Sequence, residues 1–64
     1  MKKVKVAAFK PGDQFAPFNK PDGTAGDEWV KVVSKKQASV RTIVITGDDG
    51  SELTLPADGE LWVK

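Results

Sequence analysis

Apolar and polar residues alternate along much of the chain, and this alternation predicts β-strands rather than helices. The first such segment alternates lysine with valine, which places Val4, Val6 and then Ala8 on one face. A later segment is dense in β-branched residues, which favour strands. The predicted strands are Lys3–Val6, Glu28–Ser34, Ser39–Thr46, Glu52–Leu55 and Glu60–Val63.

The same alternation assigns both tryptophans to the outer face. Val30 and Val32 are predicted to point inward, so Trp29 points outward from the second strand. In the last strand Val63 points inward, so Trp62 also points outward. Large outward aromatic side chains need cover, either from the chain itself or from a partner.

Residues 10–27 form a long predicted loop that contains three prolines and three glycines. Pro11-Gly12-Asp13 ends the first strand with a turn. Gln14–Phe18 holds most of the apolar residues of the loop and is predicted to pair briefly as an edge strand. A loop of this length in a compact domain is usually functional or mobile.

The hairpin between the third and fourth strands has two possible registers. A two-residue turn over Asp49-Gly50 would set Val44 opposite Leu55. A three-residue loop that begins at Asp48 would instead collect isoleucines and leucines on one face, and burial of each is worth about 1.5–3 kcal/mol. Because the buried face determines register, the three-residue loop is preferred, with Gly50 left-handed in a bulge.

The order of elements resembles a Src-homology-3-like small β-barrel. Ala8–Asp13 resembles the long-loop turn of that family, Asp27–Trp29 the start of its second strand, and Leu55-Pro56 the proline before its one-turn helix. A polar connection over Lys35–Ala38 and a helical turn over Pro56–Gly59 complete the order. The resemblance implies an all-β, five-stranded barrel with a long first loop, a tight distal hairpin and a one-turn helix before the last strand, formed by one domain over residues 1–64.

The resemblance also implies an aromatic surface that binds peptides. The chain has no tyrosine, which argues against ordinary proline-rich ligands. The Pro11-Gly12-Asp13 turn and the hairpin sequence Thr46–Gly50 are also similar in style to small orphan β-proteins of actinobacterial phages.

Composition excludes several kinds of chemistry. With no cysteine there is no disulfide, thiolate metal site or thiol nucleophile, and with no histidine there is no imidazole base or ligand. We therefore expect no enzyme, no cofactor and no metal site. The N-terminal apolar run is too short for a signal peptide and no segment could span a membrane, so a small soluble cytoplasmic domain is expected.

The net charge of +1 conceals an uneven distribution. Residues 1–41 hold nine basic and four acidic side chains, a formal charge of +5, and residues 42–64 hold one basic and five acidic side chains, a formal charge of −4. If the fold keeps these parts separate, the molecule is a dipole, whereas interleaved strands would cancel much of it.

The first functional hypothesis is a non-enzymatic module that binds a protein or an extended peptide. Tryptophan is over-represented among the residues that dominate binding energy. The candidate partner-binding residues are Trp29, Trp62, Phe15, Phe18 and Pro56. The competing interpretation is structural, with Phe15, Phe18 and the long loop covering one or both tryptophans.

Two other hypotheses remain open. In the first, the domain binds nucleic acid, and basic side chains contact phosphates while an aromatic ring stacks on a base. The residues for this role are Lys31, Lys35, Lys36 and Arg41. In the second, edge strands of two copies pair, which would give a weak homodimer in place of a monomer, although lysine at an edge opposes such pairing.

Overall fold

In the computed structural model, which describes all 64 residues, six antiparallel strands form one open sheet. The strands are β1 (Lys2–Lys5), β2 (Gln14–Phe15), β3 (Val30–Ser39), β4 (Thr42–Gly47), β5 (Glu52–Pro56) and β6 (Glu60–Val63). Their order across the sheet is β1-β6-β2-β3-β4-β5, so β1 and β5 are the edge strands. The all-β prediction is confirmed, with six strands instead of five. No helix is long and apolar enough to cross a membrane.

The hydrophobic core lies on one face of this sheet. The rings of Phe9 and Phe15 pack at its centre, with their centroids 5.1 Å apart. Half-buried residues such as Leu53 and Leu61 surround them. The fully buried members are Val6, Phe9, Phe15, Val32, Ile43, Ile45 and Val63. The four inner strands and the segment that follows β1 supply this set, so burial of the core requires these strands to assemble together.

A single helical turn, the 3-10 helix Val6–Ala8, follows β1. Such a turn has about three residues per turn, so residues three apart lie on the same side. Val6 and Phe9 are therefore both buried, whereas Ala8 is exposed, and the prediction of an inward Ala8 was wrong. The helical turn predicted over Pro56–Gly59 is instead a β-turn, in which the Gly59 amide donates to the Pro56 carbonyl at 3.0 Å.

The boundary between the predicted second and third strands was also wrong. Residues 35–38 belong to β3, and the chain reverses two residues later at Val40-Arg41. No glycine, proline, asparagine or aspartate marks this turn, and Val40 is 88% exposed. The Gln37 side-chain amide caps the turn by donating to the Ser39 carbonyl at 3.0 Å. Register shifts near Val33 and Ala38 bend β3.

β2 lies inside the sheet, not at its edge as predicted. Phe15 pairs with Val30 of β3 on one side and with Val63 of β6 on the other. The Ala16 amide donates to the Trp62 carbonyl at 2.9 Å, which extends the pairing with β6. The Phe15 ring is completely buried and packs against Phe9, so this central strand places Phe15 in the core.

The register of the β4–β5 hairpin is confirmed. Ile45 pairs with Leu53 and Ile43 with Leu55, as the three-residue loop requires. Gly50 has a φ of +84°, the left-handed conformation that its place in the loop demands. The turn predicted at Pro11-Gly12-Asp13 is also present, since the Asp13 amide donates to the Lys10 carbonyl at 3.0 Å.

Replacement of Gly50 with valine tests this hairpin. Nothing lies within 4 Å of the new Cβ position, so the whole cost comes from forcing a β-branched residue to a φ of +84°. We expect a loss of about 1–3 kcal/mol in the free energy of unfolding. The melting temperature should fall by roughly 4–8 °C per kcal/mol. Gly50→Asn is the matched control and should lose less, because asparagine tolerates left-handed φ. A Gly50→Val protein that melts like the wild type would contradict the assignment.

Candidate binding surface

Both tryptophans lie on the outer face of the sheet, on either side of Ala16. Ala16 bonds to Trp62 of β6, and extension of the Phe15–Val30 register by one residue sets Ala16 opposite Trp29. Because neighbouring strands are about 4.8 Å apart, the two tryptophan backbones are separated by roughly 10 Å. Ala16 itself is completely buried. Because Ala16 is small and buried, the two tryptophan rings provide the surface of this part of the face.

Lysines share the face with the tryptophans. Lys3, opposite Trp62 in β1, has its ammonium 5.4 Å from the centroid of the Trp62 ring. The Lys64 ammonium lies 4.8 Å from the centroid of the Trp29 ring. Such cation–π contacts are worth about 0.5–1 kcal/mol at exposed sites. We call this surface the tryptophan face, and it comprises Lys3, Ala16, Trp29, Lys31, Trp62 and Lys64.

The segment between β2 and β3 folds into a small hairpin that holds Trp62 in place. Asn19 and Ala25 form an isolated antiparallel bridge. The Trp62 indole nitrogen donates to the Gly23 carbonyl at 2.8 Å, which ties the hairpin tip to the sheet. Trp62 and Trp29 are both half-buried. The chain therefore fixes these rings without covering them completely.

A cavity of about 280 Å³ adjoins the Trp62 ring. It lies between the small hairpin and the sheet, and its walls are more apolar than polar. The lining residues are Met1, Lys20, Thr24, Ala25 and Trp62. Lys20 also forms an ion pair with Asp27, at 3.5 Å. The cavity therefore adjoins the tryptophan face at Trp62.

Of the remaining predicted partner-binding residues, none joins this face. Phe15 has no exposed surface and belongs to the core, so it offers nothing to a partner. Phe18 is 66% exposed on the small hairpin and buries little of its ring against the chain. Pro56 is exposed at the end of β5, and the sheet order places three strands between β5 and β6.

The four predicted phosphate-binding residues do not converge. Lys31 pairs with Gln14 and lies on the tryptophan face. Lys35 pairs with Ile45 on the core side, and its ammonium donates to the Ala7 carbonyl. Lys36 lies farther along β3, and Arg41 stands in the turn at the far end of that strand. Sequence reasoning also omitted Lys3 and Lys64, although strand alternation could have placed each of them outward.

The strand order partly mixes the two oppositely charged parts of the chain. β6 comes from the acidic part but inserts between β1 and β2 of the basic part. The acidic turn between β4 and β5 stays at the opposite side of the sheet from β1. The Lys20–Asp27 contact is the one ion pair in the structure, so the three lysines of the tryptophan face have no carboxylate partner. This face is therefore basic as well as aromatic.

Two carboxylates have lowered pKa values, and both lie in turns. The Thr24 hydroxyl and amide donate to Asp22, at 2.6 and 3.0 Å, and hold the pKa of that carboxyl below its usual range. Ser51 donates to Asp49 at the same two distances, with the same effect on its pKa. No group of three or more acidic side chains forms a site for a metal ion.

Comparison of the chain with known proteins gives no match. No family model, curated protein or solved structure matches it. The functional conclusion therefore rests on the geometry of the tryptophan face.

The two turn carboxylates predict how stability depends on pH. Because folding lowers the pKa of Asp22 and Asp49, the folded state favours their ionised forms, and this stabilisation is lost as the pH falls through the lowered values. A double variant with Asp22→Asn and Asp49→Asn keeps side-chain acceptors but does not titrate. Between about pH 6 and about pH 2, its melting temperature should fall less than that of the wild type. Equal falls in the two proteins would contradict the role of these turns.

The Trp62–Gly23 hydrogen bond predicts a local effect of Trp62→Phe. Loss of the indole donor should loosen the small hairpin, whose amides at Lys20, Gly23 and Gly26 form its internal hydrogen bonds. We expect hydrogen exchange at these amides to accelerate by about 3- to 10-fold, as loss of one such bond implies. Trp29→Phe, which removes no bond to the hairpin, is the control. Equal acceleration in both variants would contradict the anchoring role.

Proposed function

We propose that this chain is a small non-enzymatic interaction module that binds an extended segment of a protein through its tryptophan face. The strand register supports the proposal, because Ala16 bonds to Trp62 on one side, and continuing the Phe15–Val30 pairing by one residue sets Trp29 on its other side. Tryptophan supplies large contact areas and is enriched among the residues that dominate protein interfaces.

The arrangement of the rings favours recognition over simple packing. Both rings are half-buried, and each is held by a contact with a lysine ammonium. Trp62 is fixed further by its bond to Gly23. Side chains already held in one conformation lose less entropy when a partner binds, which strengthens binding for a given contact area.

A non-enzymatic role is supported by the chemistry of the side chains. The serines have no imidazole partner, since the chain lacks histidine, and no thiol is present. The carboxylates with resolved pKa shifts, Asp22 and Asp49, have lowered rather than raised values, which suits hydrogen-bonded turns rather than general acids.

Nucleic-acid binding is the alternative function. The presence of Lys31 on the same face as Trp29 favours it, because single strands are bound by basic grooves with stacking aromatics. Lys35 and Arg41 do not support it, since Lys35 is held by the Ala7 carbonyl and Arg41 lies at the far end of β3. The net charge of +1 is also low for a nucleic-acid-binding domain.

We also propose that the sheet is a variant of the Src-homology-3-like barrel, formed by one domain. The tight β4–β5 hairpin and the β-turn after Pro56 support this, as does a long β3 whose two bulges increase its bend and twist. The extra short strand β2 would be an addition to the five-stranded pattern.

Affinity selection from a displayed library of random peptides tests the proposed function. Peptides enriched on the wild-type protein should bind Trp29→Ala and Trp62→Ala at least about 30-fold more weakly, the loss typical of residues that dominate an interface. Val40→Ala is the matched control, because it shortens an exposed apolar side chain in the turn at the far end of β3. Circular dichroism would confirm that each variant is folded.

Two results would contradict the proposal. If the peptides bind the tryptophan variants and the wild type equally, the tryptophan face is not the binding surface. If instead oligothymidine bound more tightly than any peptide, with affinity that falls steeply with salt, the nucleic-acid alternative would hold.

A further inference from the structure

We infer that the segment bound by the tryptophan face is acidic and carries one large apolar side chain that enters the cavity beside Trp62. This inference rests on the proposed function, because it specifies the partner of the same surface. It follows from the charge of the face, from the positions of its lysines relative to the rings, and from the cavity at its edge.

The charge of the face favours an acidic partner. Lys3 lies on β1, Lys64 at the end of the adjacent β6, and Lys31 on β3 across the short β2, and none of the three forms an ion pair. Lys5 of β1 stands opposite Glu60, so this pair adds no net charge to the surface. Positive groups without counter-charges on one surface attract an oppositely charged segment, speed its association and reject basic ones.

The positions of the lysines favour carboxylates over nucleotide bases. The ammonium groups of Lys3 and Lys64 lie over the faces of the Trp62 and Trp29 rings. A base that stacked on either ring from that side would have to displace the lysine and give up the cation–π contact. A carboxylate side chain can bind the same ammonium group from outside while the lysine stays over its ring.

The cavity supplies the apolar part of the recognition. This cavity is open to solvent and, at about 280 Å³, has room for one large side chain. Ala25 and Trp62 give it apolar walls, while Lys20 stands at its side and is already paired with Asp27. An aromatic or large aliphatic side chain fits this setting.

The composition of selected peptides tests the inference directly. A displayed library of random peptides of about 12 residues, a length suited to an extended ligand, would be selected on the full chain at low salt. The enriched peptides should carry a net charge of about −3 or lower and at least one large apolar residue. Synthetic copies with every glutamate and aspartate replaced by the matching amide should bind at least about tenfold more weakly.

Protein variants locate the acidic contacts. Lys3→Gln, Lys31→Gln and Lys64→Gln should each weaken binding of the best acidic peptide by about threefold, as expected for exposed charge pairs. Lys36→Gln is the matched control, because it removes the same charge from β3 outside the tryptophan face and should leave binding within about twofold. Equal losses in all four variants would indicate only a general effect of net charge and would overturn the inference.

The outcomes separate this inference from the proposed function. Enriched peptides that are neutral or basic but still depend on Trp29 and Trp62 would overturn the acidic partner and leave the protein-binding function intact. Absence of any tryptophan-dependent peptide would overturn both. Oligothymidine that binds more tightly than the best acidic peptide, with an affinity that falls steeply with salt, would also overturn both, in favour of nucleic acid.

Discussion

The two-sided pairing of Phe15 is the interaction on which the rest of the structure depends. β2 is two residues long, yet it joins β6 on one side to β3 on the other, through Val63 and Val30. Without it the sheet would divide into a β1–β6 pair and a β3–β4–β5 meander. The Phe15 ring is completely buried and packs against Phe9. The residue that joins the two parts of the sheet is therefore also a central residue of the core.

The candidate site is a consequence of the same pairing. Because side chains alternate along a strand, an inward Phe15 forces Ala16 outward, and the neighbouring strands then bring Trp62 and Trp29 to either side of it. A shift of β2 by one residue would turn the phenylalanine to the outer face of the sheet and the alanine to the core face. The large cost of exposing an aromatic core side chain thus maintains the arrangement of the outer face.

Sequence patterns predicted the structure correctly where the residues that determine it lie close together in the chain. The register of Ile45 against Leu53 followed from a nearby glycine turn and from the size of the paired side chains. The outward position of Trp62 followed from simple alternation. Sequence reasoning failed at the Val40-Arg41 turn, which contains no turn-forming residue, and at β2, whose central place depends on partners 15 and 48 residues away in sequence. The alignment of the two tryptophans across Ala16 likewise depends on strands that are far apart in sequence.

One nuclear Overhauser spectrum of the protein tests the central claim most directly. Directly opposed residues on one face have Cβ atoms about 4.5–5.5 Å apart, so the methyl group of Ala16 should give cross-peaks to the side chains of both Trp29 and Trp62. Cross-peaks to both tryptophans would establish the tryptophan face as a single aromatic surface. Cross-peaks from the Ala16 methyl to the core isoleucines instead, with none to either indole ring, would mean that β2 pairs in another register and that the two tryptophans do not share a site.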